Sequence, residues 1–128
     1  MDLIIFGKVI KGLQIGKKIG FPTVNIKPGK IKNNIEFGVY ICEIKIKNRL
    51  LKGVLLYGPK TIGSAGPGKI YCEVHVLNFN EDVYTCEVEI KLLKKLRDVR
   101  KFISETELQK QISEDIKITN KYFNAEQT

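Results

Sequence analysis

The sequence predicts an all-β fold with one C-terminal helix, in which antiparallel strands close, or nearly close, into a barrel. Most of the chain alternates apolar and polar residues in short runs that are separated by Gly, Pro and Asn. No helical pattern lies between these runs, so the strands are joined by turns and loops. After residue 104 the apolar residues are spaced by four instead, which is typical of an amphipathic helix.

The first half of the barrel begins with a predicted strand over residues 3–11, which ends at a Lys-Gly turn. A glycine-spaced loop follows, and residues 23–26 form a short extended segment. The Lys-Pro-Gly-Lys sequence at 27–30 predicts a turn, and an irregular exposed loop continues to residue 34.

Four further strands are predicted, over residues 38–47, 50–57, 70–79 and 83–93, with a hairpin turn at 48–49. Alternation assigns one face of three of these strands to the barrel interior. The predicted interior residues are Tyr40, Cys42, Ile44, Ile46, Cys72, Val74, Val76, Cys86, Val88, Ile90 and Leu92.

The C-terminal helix has a predicted start and a predicted buried stripe. Ser104 to Glu107 form a capping box, and Ile103 is placed to pack against Leu108 as a hydrophobic staple. Leu108, Ile112 and Ile116 lie on one side of the helix. We expect one domain over 1–128, with a barrel at about 1–95, a connecting segment and helix at about 96–120, and a short tail at 121–128.

Composition limits the classes of function. The chain has 128 residues and a net charge of +8, which favours an anionic partner: nucleic acid, a phosphate-bearing small molecule or an acidic surface. Its three cysteines are widely spaced and it has one histidine, so a zinc site or disulfide framework is not expected. No apolar run approaches the roughly 20 residues of a membrane span, and the N-terminus lacks a signal-peptide pattern, so we expect a cytoplasmic protein without membrane contact.

Residues 16–25 carry the pattern most suited to chemistry. Lys17 and Lys18 lie between Gly16 and Gly20, whose backbone amides can approach an anion. Pro22 restricts the backbone, and an extended segment after it places Thr23 and Asn25 on one side. Their neutral oxygens suit a Mg²⁺ that keeps its waters and is shared with phosphates. The alternative is a surface hairpin with ordinary turn residues.

A second glycine-rich segment fits the consensus of a P-loop but lacks two of its features. Residues 63–69 satisfy Gly-x-x-x-x-Gly-Lys. A P-loop also needs Ser or Thr next, and a helix that faces the phosphates. Here Ile70 follows and opens a predicted strand, so we reject a P-loop.

Gly7-Lys8-Val9, Gly12, Gly16-Lys17 and the run Gly20-Phe21-Pro22-Thr23-Val24-Asn25 resemble the N-terminal signature of riboflavin kinases, and the likeness continues to about Asp115. The resemblance implies a small closed antiparallel barrel of six strands with Greek-key connections and a C-terminal helix. It implies that Thr23 and Asn25 hold Mg²⁺ with ATP. The glycines, Lys17, Lys18 and Pro22 then belong to the ATP and phosphate site.

The resemblance also implies roles for later residues. Glu73 lies in a Glu-x-His strand like that of the family, where the glutamate is the general base for the 5′-hydroxyl of riboflavin. Arg97 matches an arginine of the family's flap, the segment before the helix, which positions the acid and the phosphates. Phe102 matches a flap residue that shapes the flavin pocket. From the residues alone, a strand glutamate paired with lysine and a solvated linker remain the alternatives.

Three places depart from the family pattern. Residues 56–62 lack the usual Asn and the Pro-Thr that follows it, Thr85 stands where a Gly is usual, and Val99 stands in place of a flap glutamate. We therefore expect an ATP-dependent riboflavin kinase that makes FMN and ADP as a monomer. The part of its site that binds flavin is expected to differ from the family pattern. The alternatives are a basic barrel that binds nucleic acid, and a barrel that binds flavin or nucleotide with weak catalysis. We do not expect FAD synthesis from these residues.

Overall fold

The computed structural model describes residues 2–11, 20–59 and 69–126. Within them the chain forms six strands and one helix. Their bounds are β1 (Leu3–Ile10), β2 (Val24–Lys32), β3 (Gly38–Ile46), β4 (Arg49–Gly58), β5 (Tyr71–Val76), β6 (Glu87–Arg97) and α1 (Glu105–Glu126).

The six strands close into one antiparallel barrel, as predicted. Their order around the barrel is β1-β2-β5-β4-β3-β6, and β6 completes the circle by pairing with β1. The consecutive strands β3, β4 and β5 are neighbours, and β6 returns beside β3, which is a Greek-key connection.

The barrel interior is filled by the alternating apolar residues that the sequence indicated. The buried core includes Ile5, Val9, Ile26, Tyr40, Cys42, Ile44, Ile46, Leu55, Cys72, Val74, Val76, Val88, Ile90 and Leu92. On the opposite face of β3, Val39 and Ile41 are also buried, so one side of the barrel is covered from outside. The helix α1 packs on this side, against β4.

The turn predicted at 27–30 is wrong, because β2 continues through it to Lys32. The register places Gly7 opposite Pro28 but Ile5 opposite Ile31, so the β2 strand carries one extra residue at this point. Such a bulge tolerates Pro28, because it leaves a position without a ladder hydrogen bond. The long-range pairing with β1 thus overrides a local turn signal.

Two connections differ from prediction by a few residues. Lys47 and Asn48 have φ values of 51° and 62°, so they form the two-residue hairpin loop, one residue earlier than predicted. β6 begins at Glu87 instead of residue 83, because a tight turn precedes it. In this turn the Cys86 amide donates to the Val83 carbonyl over 3.0 Å, and Thr85 has a φ of 72°.

The predicted helix cap is present, whereas the staple is wrong. The Glu107 amide donates to Ser104 Oγ over 3.2 Å. Ile103 is 94% exposed and therefore does not pack against Leu108. α1 continues to Glu126, through most of the predicted tail, because Phe123 is buried and receives Lys52 Nζ 4.8 Å from its ring centroid. No helix in the described ranges has the length and apolar character to cross a membrane.

Candidate active site

Five residues on five different strands lie directly opposite one another and form a row across the barrel wall. Arg97 pairs with Val39, Val39 with Leu56, Leu56 with Glu73, and Glu73 with Asn25. Directly opposed residues of antiparallel strands place their side chains on the same face. We call these five residues the cross-strand row.

Glu73 and Asn25 are neighbours in this row and face outward. Their flanking partners, Val24 and Val74, are paired with each other and pack in the interior, so the intervening side chains point away from it. Directly opposed residues have Cβ atoms about 4.5–5.5 Å apart. The structure thus brings a carboxylate and a neutral amide together from positions that are distant in the sequence.

Asn25 also opens onto a cavity of about 240 Å³ between the end of β1, the first residues of β2 and the segment that leads into β5. Asn25 is only 9% exposed. Lys11 and Lys69 carry positive charge to the cavity. Its lining consists of Ile10, Lys11, Asn25, Ile26, Lys69, Ile70, Tyr71 and Cys72. An anion can therefore meet two ammonium groups and an amide here.

The segment before β2 brings Thr23 to the same place. Thr23 precedes the strand by one residue and is half-buried, so alternation places it on the Asn25 side. The Pro22 carbonyl lies 2.8 Å from His75 Nδ1. Gly20 has a φ of 91° with open space at its Cβ position, so its backbone conformation is the reason for glycine there.

Gly7 does not line the cavity at Asn25. It lies within β1, paired with both neighbouring strands, and a Cβ on it would approach the Lys27 carbonyl oxygen to 2.7 Å and the Ile26 side chain to 2.6 Å. The close approach of β2 at the bulge accounts for glycine at this position. The assignment of Gly7 to the ATP and phosphate site stays a prediction.

Four of the predicted phosphate-binding residues, Gly12, Gly16, Lys17 and Lys18, lie outside the residues that the structure describes. Most of the rejected P-loop segment does so as well. Lys69 and Ile70 at its end lead directly into the strand β5, so the helix that a P-loop requires is not formed there.

Arg97 is held by the helix and is not a neighbour of Glu73. Its Nη2 and Nε atoms lie 2.9 Å and 3.1 Å from the two carboxylate oxygens of Asp115, and Gln111 donates to the same carboxylate over 3.0 Å. Arg97 is three strands from Glu73 in the row, which is about 14 Å along the sheet. The arginine therefore does not position the acid by direct contact.

Phe102 is buried between the flap and the helix. It packs with Leu108, Ile112 and Phe21, and the guanidinium of Arg100 lies 4.5 Å from its ring centroid. It is 7% exposed, so it offers little open surface. Through Phe21 it connects the flap to the segment that carries Thr23.

The start of the flap is fixed by charge. Lys95 Nζ lies 2.7 Å from the Asp98 carboxylate and 3.0 Å from the Glu36 carboxylate. The hydrogen bonds that Lys95 donates to Asp98 and Glu36 raise the pKa of Lys95, and the bond that Asp98 accepts lowers the pKa of Asp98. Both groups therefore stay charged around neutral pH.

Two of the departures from the family pattern lie next to Glu73 and in the flap. Leu56 stands directly opposite Glu73, so this neighbour supplies no hydrogen bond to the carboxylate. Val99 packs beside Gly58, where a Cβ would meet its side chain at 2.9 Å. Residues 60–62 lie outside the described ranges.

Sequence reasoning missed Asp115 and assigned no function to His75. Asp115 falls on the apolar side of α1, seven residues after Leu108, and is 2% exposed. A carboxylate on a buried helix face needs a cation or several donors, so its position was a usable signal. The contact of His75 with Pro22 has no local signal, because 53 residues separate the two.

The donor set at Asn25 fits a divalent ion that is shared with phosphates. Within the described ranges, no group of three or more His, Cys, Asp or Glu residues is placed to hold a metal. Mg²⁺ retains several waters and is usually held by few protein oxygens together with substrate phosphates. One amide oxygen and one hydroxyl next to a basic cavity are consistent with such an ion.

The chain was compared with known proteins. A family model described as Flavokinase: Riboflavin kinase matches residues 2–123. A bifunctional riboflavin kinase/FMN adenylyltransferase from Buchnera aphidicola subsp. Schizaphis graminum is 37% identical over 123 residues. The match covers 94% of this chain and 38% of that relative, so the chain spans well under half of its length.

Solved structures agree on the fold. A Streptococcus pneumoniae chain described as a macrolide-efflux protein superposes with a TM-score of 0.81 and 27% identity, covering 91% of this chain and 38% of that one. A riboflavin kinase from Trypanosoma brucei gives a TM-score of 0.61 at 19% identity, over 96% of this chain and 80% of that one, which supports the fold alone. Because the family model matches nearly the whole chain, the protein belongs to the riboflavin kinase family.

Proposed function

We propose that this chain transfers the γ-phosphate of ATP to the 5′-hydroxyl of riboflavin and yields FMN and ADP. The observation that carries the proposal is the direct pairing of Glu73 with Asn25, beside a cavity flanked by Lys11 and Lys69. Phosphoryl transfer needs an acceptor hydroxyl, a base near it and positive charge around the phosphates. Glu73 would be the base, and Lys11 and Lys69 would supply the positive charge beside the adjacent Asn25.

Glu73 is the proposed general base. Its carboxylate takes the proton of the 5′-hydroxyl while the hydroxyl oxygen forms a bond to the γ-phosphorus. The bond from that phosphorus to the bridging oxygen breaks, and ADP leaves with the electron pair. The role requires hydrogen-bond reach between the carboxylate and the hydroxyl, which the outward direction of Glu73 permits.

Thr23 and Asn25 are the proposed ligands of Mg²⁺. Bound there, the ion would draw negative charge from the phosphate oxygens. The buried position of Asn25 in the lining of the cavity supports this role. Gly12, Gly16, Lys17, Lys18, Gly20 and Pro22 remain the predicted phosphate-binding residues of the adjoining loop.

Arg97 and Phe102 are proposed for the flavin end, where both act through the flap. Arg97 donates hydrogen bonds from Nε and Nη2 to the Asp115 carboxylate. An anionic group could therefore bind only to the remaining N–H groups of the guanidinium. The buried ring of Phe102 keeps the flap against Phe21. The cytoplasm and a monomeric state stay predictions from the sequence.

One incubation tests the activity. Purified protein with riboflavin, ATP and Mg²⁺ should form FMN, which chromatography separates from riboflavin. Glu73→Gln should lower kcat by about 10²- to 10⁴-fold and leave Mg·ADP affinity nearly unchanged. Wild-type turnover in that variant would remove Glu73 from the mechanism.

The same preparation tests the nucleic-acid alternative, which the family assignment does not favour. A basic barrel that binds nucleic acid would bind oligonucleotides with an affinity that falls steeply with salt, and it would form no FMN. Binding of riboflavin without product would instead indicate a barrel that has lost catalysis.

A further inference from the structure

The two strands that carry Asn25 and Glu73 share the shortest ladder of the barrel. β2 and β5 are paired only through Val24 with Val74 and Asn25 with Glu73. Within the described ranges, each of the other strand pairs has at least six paired residues. The alignment of these two site residues therefore depends on few backbone hydrogen bonds.

A side chain extends this ladder where the backbone cannot. If β2 continued toward its N-terminus, Thr23 would lie opposite His75, but the strand begins at Val24. Pro22, next along, has no N–H to donate. His75 Nδ1 lies 2.8 Å from the Pro22 carbonyl oxygen, and the rings of His75 and Phe21 meet edge to face with centroids 5.8 Å apart.

The contact also fixes the protonation of the ring nitrogen. A carbonyl oxygen only accepts hydrogen bonds, so Nδ1 must carry the hydrogen in this pair. His75 lies two residues after Glu73 on the outer face of the same strand. One strand thus carries both the proposed base and the donor that holds the backbone next to Thr23.

We infer that His75 is a positioning residue, which holds Thr23 in line with Asn25 and Glu73 through the Pro22 carbonyl. The inference rests on the proposed function, because it assigns a purpose to the alignment of these groups. Loss of the Nδ1 donor releases the segment before β2 and displaces the Thr23 hydroxyl from the metal-nucleotide site. Phe21 contacts both His75 and Phe102, so the flap is affected too, but less than the segment that carries Thr23.

The test compares two substitutions at this position. His75→Leu removes the donor, whereas His75→Asn keeps an N–H close to the place of Nδ1. Calorimetry gives the Kd for Mg·ADP, and kinetics give KM for Mg·ATP and for riboflavin. His75→Leu should raise the Kd and the Mg·ATP KM by about two- to tenfold, the worth of one neutral hydrogen bond, with a smaller rise in the riboflavin KM. His75→Asn should keep the Kd for Mg·ADP and the KM for Mg·ATP close to the wild-type values.

Tyr40→Phe is the matched control. The Tyr40 hydroxyl donates to the Glu36 carbonyl over 2.7 Å, so its loss removes a similar hydrogen bond to a backbone carbonyl elsewhere in the barrel. Both variants should lower the Tm by a few degrees, but the control should keep the Kd for Mg·ADP. If His75→Leu does not fold, His75→Gln, which moves its amide one bond outward, replaces it in the comparison.

Three results would overturn the inference. The first is an unchanged Kd for Mg·ADP in the variant without the donor, measured well below its Tm. The second is a loss in His75→Asn as large as in His75→Leu. The third is a wild-type protein that binds no Mg·ADP. The wild type could bind Mg·ADP, and His75→Leu could bind it more weakly, while neither protein forms FMN. The proposed function would then fail, and the positioning role of His75 would stand.

Discussion

The ion pair between Arg97 and Asp115 is expected to hold the helix on the barrel, and Asp115→Asn tests this. The substitution keeps the shape of the side chain and removes its charge. Two guanidinium nitrogens lie 2.9 Å and 3.1 Å from the carboxylate oxygens. The side chains of Asp115 and Arg97 are 3% and 19% exposed, so solvent replaces little of what is lost.

The size of the effect follows from burial. Removal of one partner from a buried pair costs about 3–5 kcal/mol, since the other charge stays buried without compensation. We expect a value near the lower end, about 3 kcal/mol, because Arg97 retains some exposure and the amide keeps one acceptor. An unfolding entropy of about 2.1 cal/mol/K per residue gives about 0.27 kcal/mol/K for 128 residues. The Tm should therefore fall by about 11 °C.

The assay is thermal and urea unfolding of the wild type, Asp115→Asn and Glu107→Gln. Glu107 lies on the same helix and pairs with Arg100 over 3.2 Å, but these side chains are 39% and 53% exposed. An exposed pair contributes at most about 1 kcal/mol, so this control should lose only a few degrees. Equal Tm values for the two variants would refute the argument from burial.

Two further predictions concern single residues. Thr85→Gly should raise the free energy of unfolding by about 1 kcal/mol, because Thr85 is a β-branched residue with a φ of 72°. Thermal unfolding measures this gain, and the control Thr85→Ala, which keeps Cβ, should not show it. Burial raises the pKa of the Cys72 thiol to about 12 and raises the pKa of the Cys42 thiol as well. Both thiols should therefore resist a thiol reagent at pH 8 in the folded protein, whereas the partly exposed Cys86 should react. Mass spectrometry of the labelled peptides checks the order, and native labelling of Cys42 as fast as Cys86 would contradict it.

The sequence predicts the strands and their interior residues correctly where one face of a strand is buried. In β3 the alternation from Tyr40 to Ile46 predicted the interior residues, because a period of two leaves only one choice of face. It failed at Pro28, where the local pattern of a turn was overridden by pairing with β1 across a bulge. It also failed at the end of α1, where Phe123 adds a buried contact that residues 108–116 alone did not indicate.

The site was predictable residue by residue but not as an arrangement. Asn25 and Glu73 carry functional groups that a sequence shows directly, whereas their pairing depends on which strands become neighbours when the barrel closes. Sequence reasoning placed Thr23, Asn25, Glu73 and Arg97 in one set. Register separates that set, because Arg97 lies three strands from Glu73 and is bound to the helix.

This separation assigns different tasks to the two ends of the cross-strand row. Adjacent strands are about 4.8 Å apart, so a residue can touch substrate atoms beside Glu73 only from the neighbouring strands or from a segment that covers them. Asn25 meets this condition from β2, and Leu56 meets it from β4 without a polar group. Arg97 does not meet it, so its influence on the reacting atoms passes through the flap that it fixes. In the proposed reaction, the order of strands in the closed barrel thus decides which polar residues can reach the phosphoryl group and which hold the surrounding structure.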